Sequence, residues 1–190
     1  MDNSKINQTE INYTSGAGDA KLNIYTGRLV LEHQLSNIGN RTYELALTTV
    51  YNSFLELPTK INTHLGNKCK LNLQQYLYCN NYKYHYIDAS GMKIEFEYLN
   101  DSTYYDQSGL GLQLTINSNL YTITDALGNK MVFKNERLIK TISCESNQIT
   151  KLYEYDNVGK LIKAYDERTP DTRFEFKYDE DNYLCEVETY

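Results

Sequence analysis

The chain has 190 residues, 41% hydrophobic and 23% charged, which is enough for one or two small domains with a core and excludes a disordered tail. Its 19 Lys and Arg stand against 25 Asp and Glu, a formal charge of −6 without a clustered basic face, so nucleic acid is not an expected partner. No run approaches the roughly 18 apolar residues of a membrane span, and Met1, Asp2, Asn3, Ser4 and Lys5 lack an apolar signal core, so neither a span nor a secretory address is read from the residues.

Tyrosine supplies 19 residues beside 5 Phe, no Trp and only 2 Pro, and its ring suits half-buried pleated surfaces, so an all-β chain is expected. Residues 1–19 are polar and end in Ser15-Gly16-Ala17-Gly18-Asp19, which predicts a flexible lead-in. Residues 20–57 read as an N-terminal hairpin and strand segment. Gly27 turns the chain between Tyr25 and Leu29 in a hairpin over 21–34, and Tyr43, Leu45, Leu47, Thr49 and Tyr51 alternate along a strand over 42–51. The stretch 52–67, with Pro58 and Gly66, has the weakest pattern and marks a boundary. The best helical window, Val50 to Leu57, is short.

From 58 to 190 alternation dominates. It runs through Leu71 and Leu73; Tyr82, Tyr84 and Tyr86; Ile94 and Phe96; Leu112, Leu114 and Ile116; Tyr121 and Ile123; Met131 and Phe133; Tyr153 and Tyr155; and Phe174, Phe176 and Tyr178. Between these runs one turn recurs, as Asp88-Ala89-Ser90-Gly91, Asp106-Gln107-Ser108-Gly109, Asp125-Ala126-Leu127-Gly128 and Asp156-Asn157-Val158-Gly159, with a fifth copy, Asp179-Glu180-Asp181-Asn182, ending in Asn. The physical reading is a tight turn in which Asp bonds the backbone two residues on and the fourth residue takes a positive φ, best tolerated by Gly and next by Asn. Asp88, Gly91, Asp125, Gly128, Asp156, Gly159, Asp179 and Asn182 are therefore assigned as turn-forming structural residues. The expected architecture is a series of antiparallel hairpins joined side by side in a twisted strip with uneven spacing. Such a strip has an open C-terminal edge that further hairpins would cover.

The segment Tyr153-Glu154-Tyr155-Asp156-Asn157-Val158-Gly159-Lys160-Leu161 resembles the YD repeat of Rhs proteins, Tyr-x-Tyr-Asp-x-x-Gly-Arg/Lys-Leu, and Phe174-Glu175-Phe176-Lys177-Tyr178-Asp179 with Leu184 resembles a second copy. Upstream, Asn23 to Leu29 and Val50-Tyr51-Asn52-Ser53 are similar to the opening of an Rhs shell. Gly66 through Leu73, followed by Tyr86 to Gly91 and Phe96, is similar to the family's next unit. Two positions depart from the pattern. Lys68-Cys69 stands in place of a Gly-Trp pair, removing a large packing group, and Glu136 replaces the Gly before Arg137-Leu138, which suggests a different turn. The resemblance implies a non-enzymatic, secreted or surface-exposed module of a β-shell that encloses or presents a C-terminal toxin in competition between cells. Its implied partners are further Rhs repeats or the enclosed toxin domain. The family's C-terminal motif with the self-cleavage aspartates is absent, so no autoproteolysis is expected of these residues.

Motifs for chemistry are missing. There is no Gly-x-Ser-x-Gly elbow, phosphate-cradling loop or His-Glu-x-x-His helix, and His33, His64 and His85 lie far apart, so no catalytic residue, metal or cofactor is expected. Asp179-Glu180-Asp181 is acidic enough to suggest Ca²⁺, although a solvated turn explains the same residues. Cys69, Cys79, Cys144 and Cys185 form no CxxC pair and are expected to be free thiols, with Cys69 to Cys79 the one local pairing able to meet across a hairpin. An alternative of a different class rests on Tyr82, Tyr84 and Tyr86, which share a strand face by parity. Exposed in a row, they would make the chain a stand-alone surface adhesin or carbohydrate-binding module with glycans as partners.

Overall fold

Alternating apolar residues bounded by turn signals produce strands throughout. The computed structural model describes residues 10–16, 18–40, 43–145 and 149–190, among which there is no helix. The first five strands are β1 (Glu10–Ser15), β2 (Gly18–Asn23), β3 (Leu29–Asn40), β4 (Tyr43–Asn52) and β5 (Cys69–Leu71), joined antiparallel in that order in one sheet. The lead-in expected over 1–19 is therefore a hairpin from residue 10 onward, with Glu10 opposite Asn23 and Ser15 opposite Gly18; residues 1–9 lie outside the described residues. The boundary expected at 57/58 also moves. β5 pairs with the free side of β4, Thr49 opposite Leu71 and Tyr51 opposite Cys69, so the first sheet ends only at Leu71.

Eight further strands follow: β6 (Tyr76–Asn80), β7 (Lys83–Ile87), β8 (Lys93–Asn100), β9 (Thr103–Asp106), β10 (Gln113–Asn117), β11 (Leu120–Thr124), β12 (Lys130–Lys134) and β13 (Arg137–Ile142). Each pairs antiparallel with the next, and β13 returns to β6, so these hairpins form a closed eight-stranded barrel where an open twisted strip was expected. The closure is short. Arg137 opposes Tyr76, Leu77 N donates to Glu136 O at 3.0 Å, and Leu138 N donates to Gln75 O at 3.1 Å. Closure satisfies both edge strands, and an eight-stranded barrel is narrow enough for its own side chains to fill. Leu114, Ile123, Phe133 and Leu138 are fully buried and Tyr86, Ile94 and Phe96 nearly so, all within one core.

A bulge lets β13 belong to both the barrel and the strip that leaves it. Val132 opposes Lys140 while Phe133 opposes Leu138, so Ile139 is the extra residue, and beyond it Lys140 to Ile142 pair with the next strand instead of β6. From there β14 (Thr150–Tyr155), β15 (Leu161–Asp166), β16 (Arg173–Tyr178) and β17 (Leu184–Thr189) continue outward as four strands hung on the barrel. This part is the open strip of hairpins. Its inner face buries Tyr153, Leu161, Ala164, Phe174 and Phe176 in the same core as Leu45 and Leu47 of β4. The irregular segment between β4 and β5 straps the outside of the barrel, where Leu55 and Ile61 cover Tyr76, Tyr78 and Ile87 in a second small core.

Candidate functional site

All five Asp turns share one geometry. Asp88 Oδ1 accepts the backbone N–H of Ser90 at 2.9 Å and of Met92 at 2.8 Å. Asp106 does the same at Ser108 and Leu110, Asp125 at Leu127 and Asn129, and Asp156 at Val158 and Lys160. In the fifth turn Asp179 Oδ1 accepts Tyr183 N at 2.8 Å. The fourth residue of each has positive φ, 91° at Gly159 and 66° at Asn182. Burial pushes the Asp106 and Asp125 carboxyls up, but their hydrogen bonds more than offset it and hold both below the ordinary carboxylate range. The opposite barrel end uses two-residue turns. Glu136, expected to mark a different turn, takes the left-handed φ of 68° that Gly supplies, and its carboxylate pairs with Lys60 on the strap.

The strip repeats with a 23-residue translation that the uneven turn spacings of the whole chain conceal. Tyr155 donates its hydroxyl to Leu138 O at 2.9 Å, and Tyr178, 23 residues on, donates to Leu161 O at 2.7 Å. Arg137 Nε donates to Gly159 O, and Lys160 Nζ donates to Asn182 Oδ1. Ile162 and Cys185 are the extra residues of matching bulges, at the same step as Ile139. Leu138, Leu161 and Leu184 therefore occupy one position in three successive units.

Among the described residues β17 is the outermost strand of the strip. Its first residue is covered, because Leu184 N donates to His64 O at 2.8 Å while His64 Nδ1 meets Asn182 O and the His64 ring stands edge-on to Tyr178. Arg173 and Tyr190 exchange both backbone bonds, so by antiparallel alternation the N–H and C=O of Val187 and Thr189 point to the side that no described strand covers. The outer face is charged: Lys177 lies between Glu186 and Glu188, and Arg173 pairs with Glu175.

Tyr82, Tyr84 and Tyr86 do not share a solvent-facing row. Tyr82 sits in the two-residue turn, 99% exposed, whereas Tyr86 is 4% exposed in the barrel and its hydroxyl meets Gln75. Tyr84 packs edge-on against Tyr104, and burial pushes its hydroxyl pKa up to about 12. The parity reading failed because the strand starts only at Lys83 and its even-numbered face points into a closed barrel. Cys69 and Cys79, the candidate pair, lie on β5 and β6 in different sheets, and all four cysteines are free. Among the described residues no group of three or more His, Cys, Asp or Glu is placed to hold a metal ion, and no helix is long and apolar enough to cross a membrane.

Sequence reasoning missed a buried polar junction between the first sheet and the barrel. Lys70, on β5 between Cys69 and Leu71, is fully buried and donates from Nζ to Asp88 O at 2.9 Å and Ala89 O at 2.8 Å. Desolvation lowers its pKa to about 7, against the pull of Asp88 and Glu32 in the other direction. Beside it the buried Asn52 donates to Ser90 O at 3.1 Å, and the Asn52 side chain comes so close to Gly91 that a Cβ there would lie 3.3 Å from it. The Asp88 turn is thus a docking post for two strands. The only hint in the sequence is a lysine directly before the alternating Leu71 and Leu73. A concavity of about 570 Å³ lies on the first sheet, where Tyr13, Ala20, Leu31, Tyr51 and Cys69 oppose one another across all five strands.

No family model and no curated protein matches the chain.

Proposed function

We propose that the chain is a non-enzymatic structural module of the Rhs/YD-repeat kind, in which a closed, side-chain-filled barrel anchors one edge of a growing strip of hairpins. The observation that carries this reading is the 23-residue ladder of tyrosine-to-leucine bonds, Tyr155 on Leu138 O and Tyr178 on Leu161 O. A polar contact repeated at fixed translation, one face apolar and the other charged, is the signature of a unit that adds onto itself. The barrel interior is filled by Phe133, Leu114 and their neighbours, so containment is the work of the strip and whatever extends it. In this reading the module contributes to a secreted or surface-exposed β-shell that encloses or presents a toxin used in competition between cells. That part rests on the YD motifs alone.

The test is backbone hydrogen exchange on residues 1–190 at low concentration. An open strip has fast-exchanging amides at Val187 and Thr189 beside slow ones at Glu186 and Glu188. Protection of Val187 and Thr189 in the monomer would mean a capped edge and a self-contained domain, which overturns the reading.

A further inference from the structure

β17 is the outermost described strand of the repeat, and the chemistry of a strand that pairs beside it is specified by what the repeat leaves unfilled there. This inference rests on the strip reading and states the chemistry of what the strip accepts. In each completed step a leucine carbonyl receives a phenol from the strand added next, as Leu138 O does from Tyr155 and Leu161 O from Tyr178. Leu184 stands 23 residues after Leu161, and no tyrosine of the described residues reaches its carbonyl.

Charge supplies the second specification. Across β15 and β16, Lys163 opposes Glu175 and Tyr165 opposes Arg173. Advanced by 23 residues, the place of Lys163 is taken by Glu186 and that of Tyr165 by Glu188. The sign at the first place is reversed. The residue facing Glu186 is therefore cationic where Glu175 was anionic, and the residue facing Glu188 is cationic as Arg173 was, since opposite charges directly across an antiparallel pair are favourable and like charges are not. Lys177 is shared between the two carboxylates, so neither Glu186 nor Glu188 has a cation of its own. The inner positions face Val187 and the apolar core holding Phe174 and Phe176, which sets them as apolar.

We infer that the free edge of β17 binds, by strand addition, an extended segment reading cation, apolar, cation, apolar, any residue, tyrosine, with the tyrosine hydroxyl on Leu184 O and the cations opposite Glu188 and Glu186. A second copy of this chain does not fit, because antiparallel pairing of β17 with itself brings Glu186 and Glu188 against the same carboxylates.

The experiment titrates the ¹⁵N-labelled 190-residue chain with the capped peptide Lys-Phe-Lys-Phe-Lys-Tyr. Controls are the same peptide ending in Phe and one with Glu at the third position. The expected result is shift and exchange protection confined to Val187 and Thr189, with affinity falling about two- to ten-fold on loss of the phenol, the loss of one hydrogen bond. The Glu-containing peptide binds about two- to five-fold more weakly, one cross-strand charge pair. Glu186→Lys, an exposed substitution, reverses that last preference. Equal binding of all three peptides, or shifts at Val187 and Thr189 that follow protein concentration instead of peptide, would overturn the inference. If both amides stay unprotected with every peptide, the partner chemistry is wrong while the open strip stands; if both are protected before any peptide is added, the strip reading falls as well.

Discussion

Lys70 gives the sharpest physical forecast, because a fully buried amine with two carbonyl partners and no carboxylate in hydrogen-bond reach must respond to pH. Its folded-state pKa of about 7 lies below the 10.5 of the unfolded chain. Between those values the unfolded chain binds a proton that the folded chain does not, so stability rises with pH; below about 7 both states are charged and the slope vanishes. At about 1.4 kcal/mol per unit, the two values integrate to about 3 kcal/mol gained between pH 7 and pH 9.5. Urea unfolding followed by circular dichroism at half-unit steps measures this directly. In Lys70→Met the gain disappears, and the Ala89 carbonyl, left without its donor, costs about 1–3 kcal/mol at every pH, whereas the Asp88 carbonyl keeps the Gly91 N–H. A flat wild-type profile over this window, or the same slope in the Met variant, would refute the reasoning.

Gly159→Val is expected to cost about 1–3 kcal/mol from backbone strain alone at φ 91°, and more where the Arg137 guanidinium, which a side chain there would strike, must release Gly159 O; melting temperature measures it. Asn182→Gly, at the equivalent place in the next unit, stays within about 1 kcal/mol of wild type, and a large loss there would contradict the shared turn. Leu138→Ala, fully buried at the barrel seam, loses about 2–5 kcal/mol in denaturant midpoint experiments, and a negligible loss would mean the seam does not hold the barrel shut. Burial raises the pKa values of Tyr76, Tyr86, Tyr153, Tyr155 and Tyr178, so the folded state keeps phenol protons that the unfolded chain releases near its ordinary pKa of 10. Stability therefore falls as pH rises above about 10, with phenolate absorbance rising together with unfolding.

Much of this architecture is local and for that reason was legible in the residues. An Asp followed three positions later by Gly or Asn carries its own hydrogen-bond acceptor and its own left-handed residue, so the turns at Asp88, Asp106, Asp125, Asp156 and Asp179 need no distant partner to be recognised. Period-two alternation is equally local, and it marks strands such as Ile94 to Phe96 and Phe174 to Tyr178. What alternation cannot say is which edges meet. The return of β13 to β6 rests on three backbone contacts at Arg137, Leu77 and Leu138, made by groups every residue possesses. Closure then decided the fate of the tyrosines, since the face that reads as a possible binding row turns into the barrel at Tyr84 and Tyr86 and leaves Tyr82 exposed in the turn. Lys70 shows the same limit from the other side. A lysine in a strand reads as solvated, and only the arrival of the Asp88 turn, 18 residues away, supplies the two carbonyls that allow it to be buried. Turn chemistry and strand parity are properties of a few consecutive residues, whereas strand closure and polar burial depend on which residues the whole chain brings into contact.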